Sequence, residues 1–234
     1  MRGVPFNEAI GSVLWPAVVL RPDVAFAVGV LLQFIQNPGP AHWEALKQVI
    51  VYLGATKHYW LTFGEKSRPS IQGFCDADWA SQSHRHLILG YLFHFGQGTI
   101  SWSSKKQHVI ALLSTEAEYI MQTHTTKEAI WVKSLLNEIQ GLTSEPMTIN
   151  CDNQGVIALS KDNKFHSRTK HIDLPHHFVR EAVEDGKIKI TYIPTDENVS
   201  DIFTKALAKP KFMRFVKMLG LGELEEKKAD VNKS

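Results

Sequence analysis

Apolar residues recur at helical spacing over the first quarter of the chain and alternate at strand spacing over much of the rest. Phe6 to Leu20 is mostly apolar and reads as a helix, with Pro16 expected to kink or break it. Pro22-Asp23 opens a second helix. Proline suits the first turn, and the aspartate complements the positive end of the helix dipole. This helix extends to about Ile35 and stops at the breaker cluster Asn37-Pro38-Gly39-Pro40. A third helix is predicted from Ala41 to about Leu53, with Trp43, Leu46, Val49, Ile50 and Leu53 forming its apolar face. His58 to Phe63 reads as a short strand. The polar run Glu65-Lys66-Ser67-Arg68-Pro69 marks a boundary, so residues 1–66 form a small helical segment.

The pattern then changes. Ile71 to Cys75, Leu87 to Phe95 and Thr99 to Ser103 read as strands, the last two joined by the hairpin signal Gly96-Gln97-Gly98. Ser114-Thr115 caps a long helix from Glu116 to about Ile139, closed by Gly141. A strand over Met147 to Cys151, a short helix from Asn153 to Ser160 and a helix from about Ile172 to Asp185 follow. Next come a strand over Ile188 to Ile193 and a helix from near Asn198 to Leu207. Three hairpin-connected strands followed by alternating helices and strands predict an α/β unit over residues 70–208. Its mixed five-stranded sheet is flanked by helices. Residues 209–234 begin as a basic amphipathic helix, with Lys211, Arg214 and Lys217 beside Phe212, Phe215, Val216 and Leu219. They end, from Glu223, in a polar tail expected to be disordered.

Composition narrows the class. At 234 residues, 44% hydrophobic and 21% charged, the chain is globular, with room for one domain and a smaller unit. The net charge of +2, from 26 basic and 24 acidic residues, argues against binding nucleic acid by bulk charge but leaves room for a local basic groove. Two cysteines make no disulfide framework, which points to an intracellular, reducing compartment. The N-terminus does not read as a signal peptide. The longest apolar stretch, Ile10 to Ile35, is interrupted by Arg21, Pro22 and Asp23. A membrane span needs about 20 uninterrupted apolar residues, so no membrane is expected.

Four carboxylates fall at element ends. Asp76 ends one strand and Asp152 another, each directly after a cysteine. Side chains alternate along strands, so Cys75 and Cys151 share one face of the sheet and the two aspartates share the other. In a sheet where these strands are neighbours, the aspartates stand together at the carboxyl ends, where open α/β sheets place their sites. Glu116 lies in the first turn of the long helix. Glu118 is about 200° further round and cannot face the same way. Asp201 lies early in the last helix. Each acid on its own is accounted for as a cap or strand end. Gathered together they suit Mg²⁺ or Mn²⁺, two of which can clamp the attacking and leaving oxygens of a phosphodiester.

Lys105-Lys106-Gln107-His108 and the run Lys164 to His171 are the densest basic stretches of the second part, and Arg168 and Lys170 are the preferred phosphate contacts. His166 and His171 lack the partners of a zinc site. Trp79 and Trp102 read as packing residues, as do the two cysteines.

Gly-Phe-Cys-Asp-Ala-Asp-Trp-Ala, Ile-Ser-Trp-Ser-Ser-Lys-Lys-Gln and Ser-Thr-Glu-Ala-Glu-Tyr occur in that order. They are followed by Cys-Asp-Asn-Gln, Phe-His-Ser-Arg-Thr-Lys-His-Ile-Asp and Asp-Ile-Phe-Thr-Lys-Ala-Leu. Together they resemble the ribonuclease H domain of copia-type LTR retrotransposons. Ala-Ile-Gly-Ser, Arg-Pro-Asp-Val-Ala-Phe-Ala-Val and Asn-Pro-Gly-Pro-Ala-His-Trp-Glu-Ala resemble the end of the family's reverse transcriptase. The resemblance implies a ribonuclease H-like fold in a polyprotein fragment. The implied activity is hydrolysis of the RNA strand of an RNA–DNA hybrid, with products carrying a 5′-phosphate and a 3′-hydroxyl. It implies two Mg²⁺ (or Mn²⁺), with Asp76 bridging them, Glu116 and Asp152 on the leaving-group side and Asp201 on the side that activates water. Lys105, Lys106, Asn153, Gln154, Arg168 and Lys170 are implied at the substrate.

The implied partners are the hybrid and the remainder of the polyprotein, and the implied location is a cytoplasmic virus-like particle or the nucleus. The family's polymerase motif is not in the chain, so no polymerase activity is expected. Leu87, Leu89 and Leu113 stand near positions where the family has polar residues and are expected to weaken contacts near the substrate strand. Pro175-His176 is a further departure. These changes leave open an inactive remnant that binds nucleic acid without turnover. A DNA strand-transfer enzyme on the same fold is disfavoured, because Glu116 precedes Asp152 and the fourth acid is Asp201.

Overall fold

The computed structural model describes residues 3–63, 71–78, 87–107, 114–141, 145–154, 157 and 170–223, without the side chains of 114–119, 140 and 170–176. The chain opens with α1 (Phe6–Val19), a 3₁₀ turn (Pro22–Val24), α2 (Ala25–Leu32) and α3 (Pro40–Ala55). Helix α1 runs through Pro16 without a break. Phe6, Ile10, Val13 and Ala17 form a buried stripe against Val28, Leu31, Leu46 and Val49, and this packing outweighs one lost backbone bond. Helix α2 ends at Leu32, short of the predicted Ile35, in a series of tight turns.

After β1 (Tyr59–Leu61) come β2 (Ile71–Asp78), β3 (Ile88–Phe95), β4 (Gly98–Lys106), α4 (Ser114–Gln140), β5 (Met147–Cys151), α5 (Lys170–Glu184) and β6 (Ile188–Tyr192). Two 3₁₀ turns (Thr195–Glu197 and Val199–Phe203), α6 (Lys209–Met218) and β7 (Leu221–Glu223) complete the chain. The main sheet has the order β4-β3-β2-β5-β6. β2 is antiparallel to β3, and β3 to β4, while β2–β5 and β5–β6 are parallel. This is the mixed five-stranded sheet flanked by helices that the sequence pointed to, preceded by a helical segment. Gly96, Gly141 and Gly186 adopt positive φ at the hairpin and helix ends where turns were expected.

The sheet buries both faces. On one, Cys75, Leu89, Phe93, Ile149 and Cys151 meet Met121, Ala129 and Val132 of α4 and Val179 and Ala182 of α5. On the other, Phe74 and Leu92 meet Val199, Ile202 and Phe203 of the second 3₁₀ turn and Phe215 and Val216 of α6. The helical segment docks beside β4. Trp102 Nε1 donates to the Ala17 carbonyl at 2.9 Å, and Lys106 Nζ donates to Gln33 Oε1 at 2.7 Å.

Several expectations are corrected. The helix predicted from Asn198 to Leu207 is only the five-residue 3₁₀ turn Val199–Phe203, capped at Asn198 and ended at Thr204, whose backbone leaves the helical region. Glu223, assigned to a disordered tail, belongs to β7, which pairs with β1, and its carboxylate lies 2.8 Å from His58 Nε2. Leu87 and Leu89 are core residues, 1% and 3% exposed, on the α4 face of the sheet, so they remove no polar contact with a substrate strand. Helix α5 begins at Lys170, two residues before the expected Ile172, and Pro175 lies inside it. Leu113, Trp79, the 65–69 boundary and most of the predicted 153–160 helix lie outside the described residues.

Candidate active site

Strands β2 and β5 are parallel neighbours, with Cys75 opposite Cys151. Asp76 and Asp152, one residue further on, therefore stand side by side on the other face. Asp152 directly follows β5, but Asp76 does not end its strand as expected, because β2 continues to Asp78 in its pairing with β3. Both cysteines are buried on the opposite face. The third carboxylate, Asp201, arrives from far along the chain on the Val199–Phe203 turn. Three devices hold that turn against the sheet. Asn198 Nδ2 donates to the Cys75 carbonyl at 3.0 Å, while its Oδ1 accepts from the Ser200 hydroxyl at 2.5 Å. The Ser104 hydroxyl donates to the Phe203 carbonyl at 2.6 Å. Gly90, the cross-strand partner of Asp76, leaves the necessary room. A Cβ there would lie 2.6 Å from Thr204 Cγ2 and 2.8 Å from Phe203 Cβ.

The result is a cluster in which Asp76, Asp152 and Asp201 each present an oxygen, all within 4.8 Å of one another. Asp76 and Asp201 are buried, and Asp152 is half-buried. Two lysines neutralise part of this charge. Lys205 Nζ bridges Asp201 Oδ1 at 2.9 Å and Asp76 Oδ2 at 3.2 Å. Lys211 Nζ takes Asp201 Oδ2 at 2.9 Å and reaches Asp196 Oδ1 at 3.6 Å. The Thr204 hydroxyl donates to Asp76 Oδ2. Burial, with Asp201 and Asp152 adding to it, pushes the Asp76 carboxyl up to about 6 against the pull of Lys205 and Thr204. Burial opposes the Lys205 charge, but Asp76 and Asp201 outweigh it and hold the ammonium above the ordinary lysine value.

A carboxylate that its neighbours drive towards neutrality is relieved by a cation, and an all-oxygen donor set suits a hard one. The cluster thus fits Mg²⁺ or Mn²⁺, with Asp76, Asp152 and Asp201 as the holding residues.

The other sequence candidates are dispersed. Glu116 lies in the first turn of α4, with its side chain outside the described residues. Asn153, half-buried, and Gln154, exposed, directly follow Asp152. Lys105 is exposed at the end of β4; burial first, then the charges of Lys127 and Lys105, lower the pKa of His124 in α4. Lys106, on the opposite face, is tied to Gln33. Lys170 opens α5 with its side chain undescribed, and Arg168 lies outside the described residues. Trp102 packs at the rim of the core under α1. Sequence reasoning missed Lys205, Lys211, Thr204, Asn198 and Gly90 as site residues. The spacing of Asp201 and Lys205, one helical turn apart, was the available signal for the first of these.

No family model matches the chain. Over 222 residues, 94% of its length, the chain is 45% identical to the retrovirus-related Pol polyprotein from transposon TNT 1-94 of Nicotiana tabacum. Over 217 residues, 92% of its length, it is 37% identical to the corresponding polyprotein from transposon RE2 of Arabidopsis thaliana. The chain belongs to the Pol polyproteins of copia-type retrotransposons. It spans 17% and 15% of those two relatives. Ribonuclease H1 from the archaeon Halobacterium salinarum NRC-1 resembles the copia-type chain more loosely. The TM-score is 0.42 at 14% identity, over 56% of this chain and 90% of that one.

Proposed function

We infer that this segment is a ribonuclease that hydrolyses the RNA strand of RNA–DNA hybrids in a divalent-metal-dependent reaction. The observation that carries the reading is the convergence of Asp76, Asp152 and Asp201 from three separated stretches onto one edge of a ribonuclease H-like sheet. Asp76 lies between the other two acids in this reading, and Glu116 supplies a fourth carboxylate from the start of α4. Two bound Mg²⁺ or Mn²⁺ ions would lower the pKa of the attacking water and neutralise charge developing on the phosphate. Burial keeps Asp76 and Asp201 rigid, and the Asn198 and Thr204 hydrogen bonds orient the backbone and carboxylate that face the substrate. Asn153 and Gln154 stand next to Asp152, placed to contact the hybrid. Preference for RNA rests on the 2′-hydroxyls that line a wide minor groove. The hybrid and the remainder of the Pol polyprotein are the proposed partners, inside the cell.

A labelled RNA–DNA hybrid incubated with the chain and Mg²⁺ is expected to be cut in its RNA strand, and the Asp76→Asn variant is expected to leave it intact. No cleavage in either Mg²⁺ or Mn²⁺, or equal cleavage by the variant, overturns the reading. Salt-sensitive binding without turnover would favour the inactive remnant instead.

A further inference from the structure

We propose that Lys205 is a resident counter-ion that divides the acidic cluster into an open half and an occluded half, so that two divalent ions bind with unequal affinity. This rests on the metal-dependent reading above.

The contacts are unevenly distributed over the three acids. Both oxygens of Asp201 are occupied, Oδ1 by Lys205 at 2.9 Å and Oδ2 by Lys211 at 2.9 Å. Asp76 has Oδ2 engaged by Lys205 at 3.2 Å and by the Thr204 hydroxyl. Asp152 is half-buried and has no lysine within ion-pair distance among the described residues. An ammonium and a metal ion cannot hold the same carboxylate lone pairs, since both are cations competing for one acceptor direction. The Asp76–Asp152 half can accept an ion with Lys205 in place. An ion at the Asp201 half has to displace the Lys205 ammonium or bind beside it against charge repulsion, and so binds more weakly.

Local structure makes Lys205 hard to displace. Its Nζ bridges two carboxylates rather than one, and its backbone N–H bonds the Asp201 carbonyl at 3.0 Å. It is also able to leave, because its side chain is 31% exposed and its long stem can pivot to solvent. Lys211 differs. It comes from α6, touches Asp201 but not Asp76, and its second partner is the exposed Asp196. It adds positive charge without bridging the cluster.

The test is Mn²⁺ binding to the full chain, read by calorimetry and by the electron paramagnetic resonance of free Mn²⁺. The wild-type chain is expected to bind one ion tightly and a second weakly. Lys205→Gln is expected to tighten the second site by about tenfold or more and leave the first nearly unchanged. Lys211→Gln removes the same charge from the same aspartate but keeps the bridge, so a smaller gain is expected. An unchanged second site in Lys205→Gln overturns the proposal, as do equal effects of the two variants, which would reveal a general charge effect. If Lys205→Gln does not fold in chelator, Lys205→Arg serves. Its guanidinium grips both carboxylates and is expected to weaken the second site, and unchanged affinity there overturns the proposal. If neither wild type nor variants bind Mn²⁺, the metal-dependent reading falls together with this one. If all bind equally, only this one falls.

Discussion

Asp76 carries a carboxyl that its surroundings push towards the neutral form. Its pKa rises from 3.8 to about 6. Between those values the folded chain holds a proton that the unfolded chain has released. Without metal, stability therefore falls as pH rises through the window, and the full cost is present above pH 6. Asp76→Asn removes that cost. In chelator at pH 7.5 it is expected to raise stability by about 1–3 kcal/mol, or about 3–8 °C in melting temperature. The difference should vanish below about pH 3, where wild-type Asp76 is protonated in both states. A variant that melts lower than wild type at pH 7.5 would show that the Lys205 contact outweighs burial. His94 has the opposite sign. Burial lowers its pKa from 6.5 to about 4. As pH falls through that window the unfolded histidine takes up a proton that the folded one refuses, and stability is lost. Because the two effects overlap, His94→Phe is best compared in the Asp76→Asn background. There it is expected to flatten the loss of melting temperature between pH 6.5 and 4.5, and an unchanged slope would count against burial as the cause.

At the scale of elements, the site depends on how closely the Val199–Phe203 turn approaches β3. Gly90→Ala puts a methyl within 2.6 Å of Thr204 Cγ2 and 2.8 Å of Phe203 Cβ. Overpacking of this kind costs about 1–3 kcal/mol. The displaced turn is also expected to weaken Mn²⁺ binding, which calorimetry on the variant checks, and retained affinity would show that the turn can shift without moving Asp201. Asn198→Ala removes the hydrogen bond to the Cys75 carbonyl and the cap on Ser200 and is expected to cost about 1–3 kcal/mol in urea unfolding. Neither role was readable in advance. Strand alternation and the glycine stops at 141 and 186 are local signals and located most elements. The Asn198 cap was instead taken as the start of an α-helix, because a cap marks where a helix begins and not how long it lasts.

Across the whole molecule, the C-terminal segment completes the core. Phe215 and Leu219 are fully buried against the sheet face that carries Asp76, and β7 closes a two-stranded ribbon with β1. A chain ending at residue 208 loses these large apolar groups, each worth about 2–5 kcal/mol. It is expected to lose its cooperative thermal transition, as followed by circular dichroism, and to be cut rapidly by protease. A cooperative melt in the truncated chain would show that Phe74 and Leu92 find other cover. The near-neutral net charge also acquires a location. Part of the positive count lies inside the acidic cluster as Lys205 and Lys211, where summed charge cannot show it.

The order of helices and strands, the opposite faces of Cys75 and Asp76 and the pairing of Asp76 with Asp152 were all written in the sequence. They follow from the 3.6- and 2-residue periods and from the adjacency rules of α/β sheets. Tertiary structure alone decided that Asp201 meets them on a short 3₁₀ turn, that Gly90 makes the room, and that two lysines occupy its carboxylate. The first two depend on the close approach of segments more than a hundred residues apart in the chain, whereas Lys205 and Lys211 lie only four and ten residues from Asp201 and are aimed at it by the turn and by α6. Such an approach is set by packing and steric clearance, which leave no periodic trace in a sequence.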